Sequence, residues 1–210
     1  AWGIPLDEEA IARAEFYRPA EDSEEMLYLH ARRQALGGYL PKREVAASSL
    51  NPPHAEIFAS FDSGSGSRSL STTTAMVRLL TKLLKDPEVG QYVVPIVPDE
   101  ARTFGRDALI KAAGIYSPDG QRYTPVDAAT LNSYRAAPDG QILQEGICEA
   151  GAIASFIAAG TAYATFGVPT IPFYIFYSMF GFQRVGDMIW ASADMMAKGF
   201  LLGGTAGRTT

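Results

Sequence analysis

Cysteine is nearly missing from this chain. Cys148 stands alone, so there is no internal disulfide, which fits a reducing cytoplasm. Histidine occurs only at His30 and His54, and both read as surface residues. No CxxC, HExxH, Walker loop or GxSxG pattern occurs, which removes the common zinc, phosphate-loop and serine-nucleophile signatures. Basic charge is in deficit, with 18 Lys and Arg against 23 Asp and Glu and a net charge of −5. No basic face is available to neutralise phosphates, which argues against nucleic acid as a partner. A long unbroken apolar run is also missing. The charge-free stretch from Ala150 to Gln183 is interrupted by Gly151, Ser155, Gly160, Thr161, Gly167, Pro169 and Pro172. A membrane helix needs about 18 or more consecutive apolar residues, so no span is predicted. There is no internal repeat. The opening AWGIP and the closing GRTT read as cuts from a longer protein, so missing targeting signals weigh little.

What is present is ordinary globular composition, 47% hydrophobic and 20% charged, enough for a real core. The charge-free stretch organises it. Ile142–Gln144 reads as a short strand, Ile147–Thr165 as a small-residue helix, and Thr170–Phe176 as a strand of β-branched and aromatic residues. Strands covered on both faces lose polar alternation, so this is a buried βαβ unit with acids at the turn that opens its helix.

Before it, residues 1–43 form a helical segment. Asp7–Phe16 is predicted as a short helix, and Asp22 or Ser23 caps a second one that Gly37-Gly38 ends. Residues 44–70 are rich in Ser, Pro and Gly and read as a flexible linker. Residues 71–210 read as an α/β domain. Ser71 or Thr72 caps an amphipathic helix that Asp86-Pro87 closes, Tyr92–Val97 is a strand, and Phe104–Ala113 a helix. Ser178–Ala197 is a further helix and Gly199–Gly203 a last strand. This alternation predicts an open, mostly parallel sheet with helices on both faces.

Ligands of such sheets bind beyond the carboxyl ends of the strands. Four ends are predicted to converge. They carry Asp99 and Glu100, then Glu145 and Glu149, then Tyr177, Phe180 and Arg184, and finally Gly203, Gly204 and Thr205. Each has a plainer explanation. A glutamate in a first helical turn is favoured by the helix dipole alone, by about 0.3–1 kcal/mol. Asp99-Glu100 also suits a helix cap, Tyr177 and Phe180 suit core packing, Arg184 suits an ion pair with Asp187, and Gly203-Gly204 suits a turn. Cys148 reads as a small hydrophobe and not a nucleophile.

Four segments carry a resemblance to a known family. YLHARRQALGGYLPKR, PDEARTFGRDALIKAAGIYSPDGQRYTP, GQILQEGICEAGA and IPFYIFYSMFGFQRVGDMIWASAD resemble the homodimeric pyruvate dehydrogenase of bacteria, a thiamine-diphosphate-dependent decarboxylating enzyme. The match runs nearly end to end and is interrupted mainly in the linker. The resemblance implies a transketolase-like fold and the middle, pyrimidine-binding domain of a longer chain. It implies that Glu149 bonds a pyrimidine ring nitrogen and that Phe180 stacks on that ring. It further implies that Asp99, Glu100 and Tyr177 line the reacting end, the acids encouraging loss of carboxylate and Tyr177 positioning the adduct. Cys148 departs from the family's polar residue before the glutamate.

The family's mechanism needs Glu149 to share a proton with the ring, and burial beside apolar neighbours is expected to raise its pKa. Magnesium and diphosphate are expected on a domain outside this segment, since no GDG motif occurs here. A homodimer follows, with pyruvate as substrate and the lipoyl group of the dihydrolipoyl acetyltransferase as acetyl acceptor. The segment by itself is expected to be inactive. The alternatives are a transketolase-like enzyme, one acting on another 2-oxo acid, or a non-catalytic assembly domain.

Overall fold

Two segments of the chain are internally compact, Ala1–Glu44 and Val45–Thr210. A computed structural model describes residues 3–38, 47–98, 107–125 and 134–204. In the first unit, α1 (Glu8–Ala12) is capped by Asp7, whose carboxylate accepts the Ala10 N–H at 2.7 Å. It is shorter than the predicted helix, and Asp7 lies before it. Helix α2 (Glu24–Ala35) is capped by Ser23, and Gly37 and Gly38 end it with φ of 92° and 115°, a conformation that favours glycine.

The second unit opens with a difference from the sequence reading. The stretch read as a linker holds α3 (Glu56–Asp62), with Ile57 packed against the core. Ser and Gly around it mask the short apolar set Ile57, Phe58 and Phe61. Lys82 ties it down, donating to the Ile57 carbonyl at 3.1 Å. Ser71 then caps α4 (Thr72–Leu83), which buries Val77, Leu80 and Leu83. Asp86 ends this region with its carboxylate accepting the N–H groups of Glu88 at 2.9 Å, Val89 at 3.0 Å and His54 at 3.4 Å.

The strands follow. β1 (Val93–Val97) pairs in parallel with β5 (Ile171–Tyr177), Val93 opposite Ile171 through Ile96 opposite Tyr174. β4 (Leu143–Gln144) flanks β1, and β6 (Phe200–Gly204) flanks β5. The order β4-β1-β5-β6 is parallel throughout. A second, two-stranded parallel sheet, β2 (Ile115–Tyr116) with β3 (Ala136–Ala137), was not foreseen, because two-residue strands leave no periodic signal.

Alternation in the central strands runs between two apolar faces instead of core and solvent. Val93, Val97, Phe173 and Ile175 join one cluster, with α4 and α5 (Asp107–Ala113). Ile96, Tyr174 and Phe176 join the other, with α6 (Glu149–Thr165) and α7 (Ser178–Asp194). Small residues bring that second layer close. A Cβ on Gly181 would sit 2.1 Å from a Phe176 ring carbon, and one on Gly160 would sit 2.8 Å from the Lys198 carbonyl oxygen. No helix among the described residues is long and apolar enough to cross a membrane.

Candidate functional site

The site begins where β4 ends. The Glu145 N–H donates to the Val97 carbonyl at 3.2 Å, and Gly146 turns the chain at φ 71°. The Ser155 hydroxyl donates to the Glu145 carboxylate, which fixes that acid to the first turns of α6. Cys148 caps the helix, its Sγ accepting the Gly151 N–H at 3.3 Å. The next residue, Glu149, is the first of α6 and only 8% exposed. A buried carboxylate needs a partner. It finds one on α7, where Arg184 Nη1 lies 2.7 Å from Glu149 Oε1.

Arg184 does more than pair. Its guanidinium carbon lies 4.5 Å from the centroid of the Phe180 ring, within cation–π range. Phe180 in turn meets Tyr177 edge to face, with centroids 6.0 Å apart. Tyr177 sits at the junction of β5 and α7, so the strand end, the helix start and the acid of α6 share one corner. Below them the Tyr174 hydroxyl donates to the Glu149 carbonyl at 3.5 Å. Burial raises the Tyr174 phenol well above its usual pKa, and the charges of Glu149 and Cys148 push the same way.

Glu149 corrects an expectation. Burial does push its carboxyl up, and that is the largest single influence. The Arg184 hydrogen bond, the carboxyl's bond to its own backbone N–H and the arginine charge together outweigh it, and the net shift is downward. In this chain alone the acid is held ionised.

The structure brings together Glu149, Tyr177 and Phe180 of the predicted site residues, with Arg184 as the link. Arg184 reaches across to α6 and not along its own helix to Asp187. A signal for this existed, since no charge stands between Glu149 and Arg184 in sequence. Asp99, Glu100 and Thr205 lie outside the described residues. Gly203 and Gly204 lie beside Ser178, whose hydroxyl donates to the Gly204 carbonyl at 3.5 Å. His30 contacts Glu21 at 3.0 Å in the first unit. Among the described residues no group of three or more His, Cys, Asp and Glu could hold a metal ion.

Comparison with known proteins shows the family of the chain. The family model described as "Pyruvate dehydrogenase E1 component middle domain" matches residues 51–210. Proteins named pyruvate dehydrogenase E1 component are similar over nearly the whole chain. That of Corynebacterium glutamicum is 53% identical, over 99% of this chain and 23% of its own length. That of Pseudomonas aeruginosa is 53% identical, over 99% and 24%. That of Escherichia coli K12 is 48% identical, over 100% and 24%. The chain thus spans about a quarter of the length of the curated relatives it matches.

Proposed function

The chain belongs to the pyruvate dehydrogenase E1 component middle-domain family, and from that premise we propose that it forms the aminopyrimidine half of a thiamine diphosphate site in a pyruvate-decarboxylating enzyme. One observation carries the reading. A buried carboxylate at a helix start lies one arginine away from a partly exposed aromatic ring, at the carboxyl edge of a parallel sheet. That corner fits a planar heteroaromatic ring. Phe180, 37% exposed, offers a stacking face, and Glu149 offers an oxygen able to hold a proton against a ring nitrogen. When bound, thiamine diphosphate supplies a nucleophilic ring carbon and an electron sink for loss of carbon dioxide from a 2-oxo acid.

The chain's own residues have separable tasks. Glu149, itself 8% exposed, holds and returns one proton at Oε1. Phe180 fixes the plane of the ring. Tyr177 orients the reacting end from the junction of β5 and α7. Asp99 and Glu100, just beyond β1, act on the carboxylate of the substrate and on protons there. Magnesium and diphosphate bind to a domain outside this segment, on the twin subunit of a homodimer. The large exposed apolar side chains of α7, Met179, Phe182 and Trp190, the last 81% exposed, support burial against other protein. The acetyl group passes to the lipoyl group of the dihydrolipoyl acetyltransferase, in the bacterial cytoplasm, and the segment alone does not turn over.

The test is Glu149→Ala in the full-length protein. Decarboxylation of pyruvate at the wild-type rate would overturn the assignment and leave an assembly role. Turnover of 2-oxoglutarate or a ketose phosphate in preference to pyruvate would keep the site and change the substrate.

A further inference from the structure

Arg184 makes, from within the chain, the two contacts that the proposed ring requires. Its guanidinium is planar and carries N–H donors. It places one nitrogen 2.7 Å from Glu149 Oε1 and its carbon 4.5 Å from the centroid of Phe180. An aminopyrimidine in that corner would be planar, meet the same carboxyl and stack on the same phenyl ring. We propose that Arg184 is an internal stand-in for the cofactor ring, occupying the Glu149–Phe180 site before thiamine diphosphate binds and leaving it on binding. The inference rests on the function proposed above.

The surroundings suit such an exchange. The Arg184 side chain is 49% exposed within this chain, so packing among the described residues leaves its charged end room to move, and its aliphatic stem has several rotatable bonds. The next residue, Val185, departs from helical geometry at φ −132° and ψ 20°, so Arg184 stands at an interruption of α7. Among the described residues the groups facing Glu149 are few. From α7 there is Arg184, from β5 the Tyr174 hydroxyl, and from the preceding turn Cys148, while Glu145 is bonded to Ser155. Arg184 is the only cation paired with Glu149 among the described residues. When it leaves, the buried carboxylate loses its counter-charge and takes a proton from solvent onto its own oxygen. The arginine charge passes to water, and the balance is one proton gained per site.

The experiment is calorimetric titration of thiamine diphosphate, with Mg2+, into the full-length protein in buffers of different ionisation enthalpy near neutral pH. Wild type is expected to take up about one proton per site. Arg184→Met is expected to bind about threefold or more tightly and to take up fewer protons, because the competitor is gone and the charged form of Glu149 has already lost the partner that favoured it. Arg184→Lys keeps the charge without the flat fork, and is expected to bind about twofold more tightly than wild type. Weaker binding by either variant, unchanged uptake in Arg184→Met, or no uptake in wild type would overturn the inference. Failure of the functional reading looks different. Wild type would then not bind thiamine diphosphate, or Phe180→Ala would leave its affinity unchanged.

Discussion

Among the described residues of the second unit two carboxylates are buried, and they are satisfied in different ways. Asp86, after α4, is held by three backbone N–H groups, those of Glu88, Val89 and His54. Glu149, at the start of α6, is held by its own backbone N–H and by one side chain, the half-exposed Arg184. Both carboxyls sit below their ordinary pKa although burial opposes it in each. The difference lies in what can move. Backbone amides leave only if the chain unfolds, whereas a long exposed arginine leaves by rotating its bonds. Asp86 is built to stay, and Glu149 is built to change partner.

The largest effect that would break this comparison is on turnover. Glu149→Gln in the full-length protein should lower kcat for pyruvate decarboxylation by about 10²- to 10⁴-fold, the usual worth of a positioned acid–base group, while Asp86→Asn should leave kcat within about twofold. Equal losses in both would erase the distinction.

Next come effects on stability, measured by urea unfolding. Leu80 is fully buried on the Asp86 side, and Leu80→Ala should cost about 2–5 kcal/mol. On the Glu149 side, Gly181→Ala drives a methyl into the Phe176 ring and should cost about 1–3 kcal/mol. A neutral Gly181→Ala would mean that α7 moves freely over β5.

A smaller effect sharpens the comparison through pH. For both acids the folded pKa lies below the unfolded one. Their stabilisation is therefore complete above the ordinary carboxylate range and is lost as pH falls through the folded value. Asp86→Asn should flatten the acid limb of a Tm-against-pH curve more than Glu149→Gln does, because three fixed amides outweigh one solvent-screened arginine. The smallest effect is at Cys148→Ser. A hydroxyl caps a helix better than a thiol, so Tm should hold or rise slightly, with a change below about 1 kcal/mol.

Much of the fold was legible in the residues. Ser23 and Ser71 cap the helices expected of them, and Gly37-Gly38 ends α2. The β4–α6–β5 unit lies within two residues of its expected bounds. The helix α3 was not legible, because its three apolar residues are too few to stand out among serine and glycine. Of the site, Glu149 and the aromatic pair Tyr177 and Phe180 were readable by their place at strand ends. The downward shift of Glu149 was not, because it depends on an arginine 35 positions away for which the sequence offers a nearer partner in Asp187.

By itself the sequence determined the α/β order, the helix caps and the charge-free centre, since each depends on neighbours a few positions apart. Only the tertiary structure decided that Arg184 faces Glu149 across 35 positions. That contact requires β4 and β5 to flank β1, so that the helices following them, α6 and α7, lie side by side on one face. No local pattern encodes a distance between two helices that meet only after the sheet has formed.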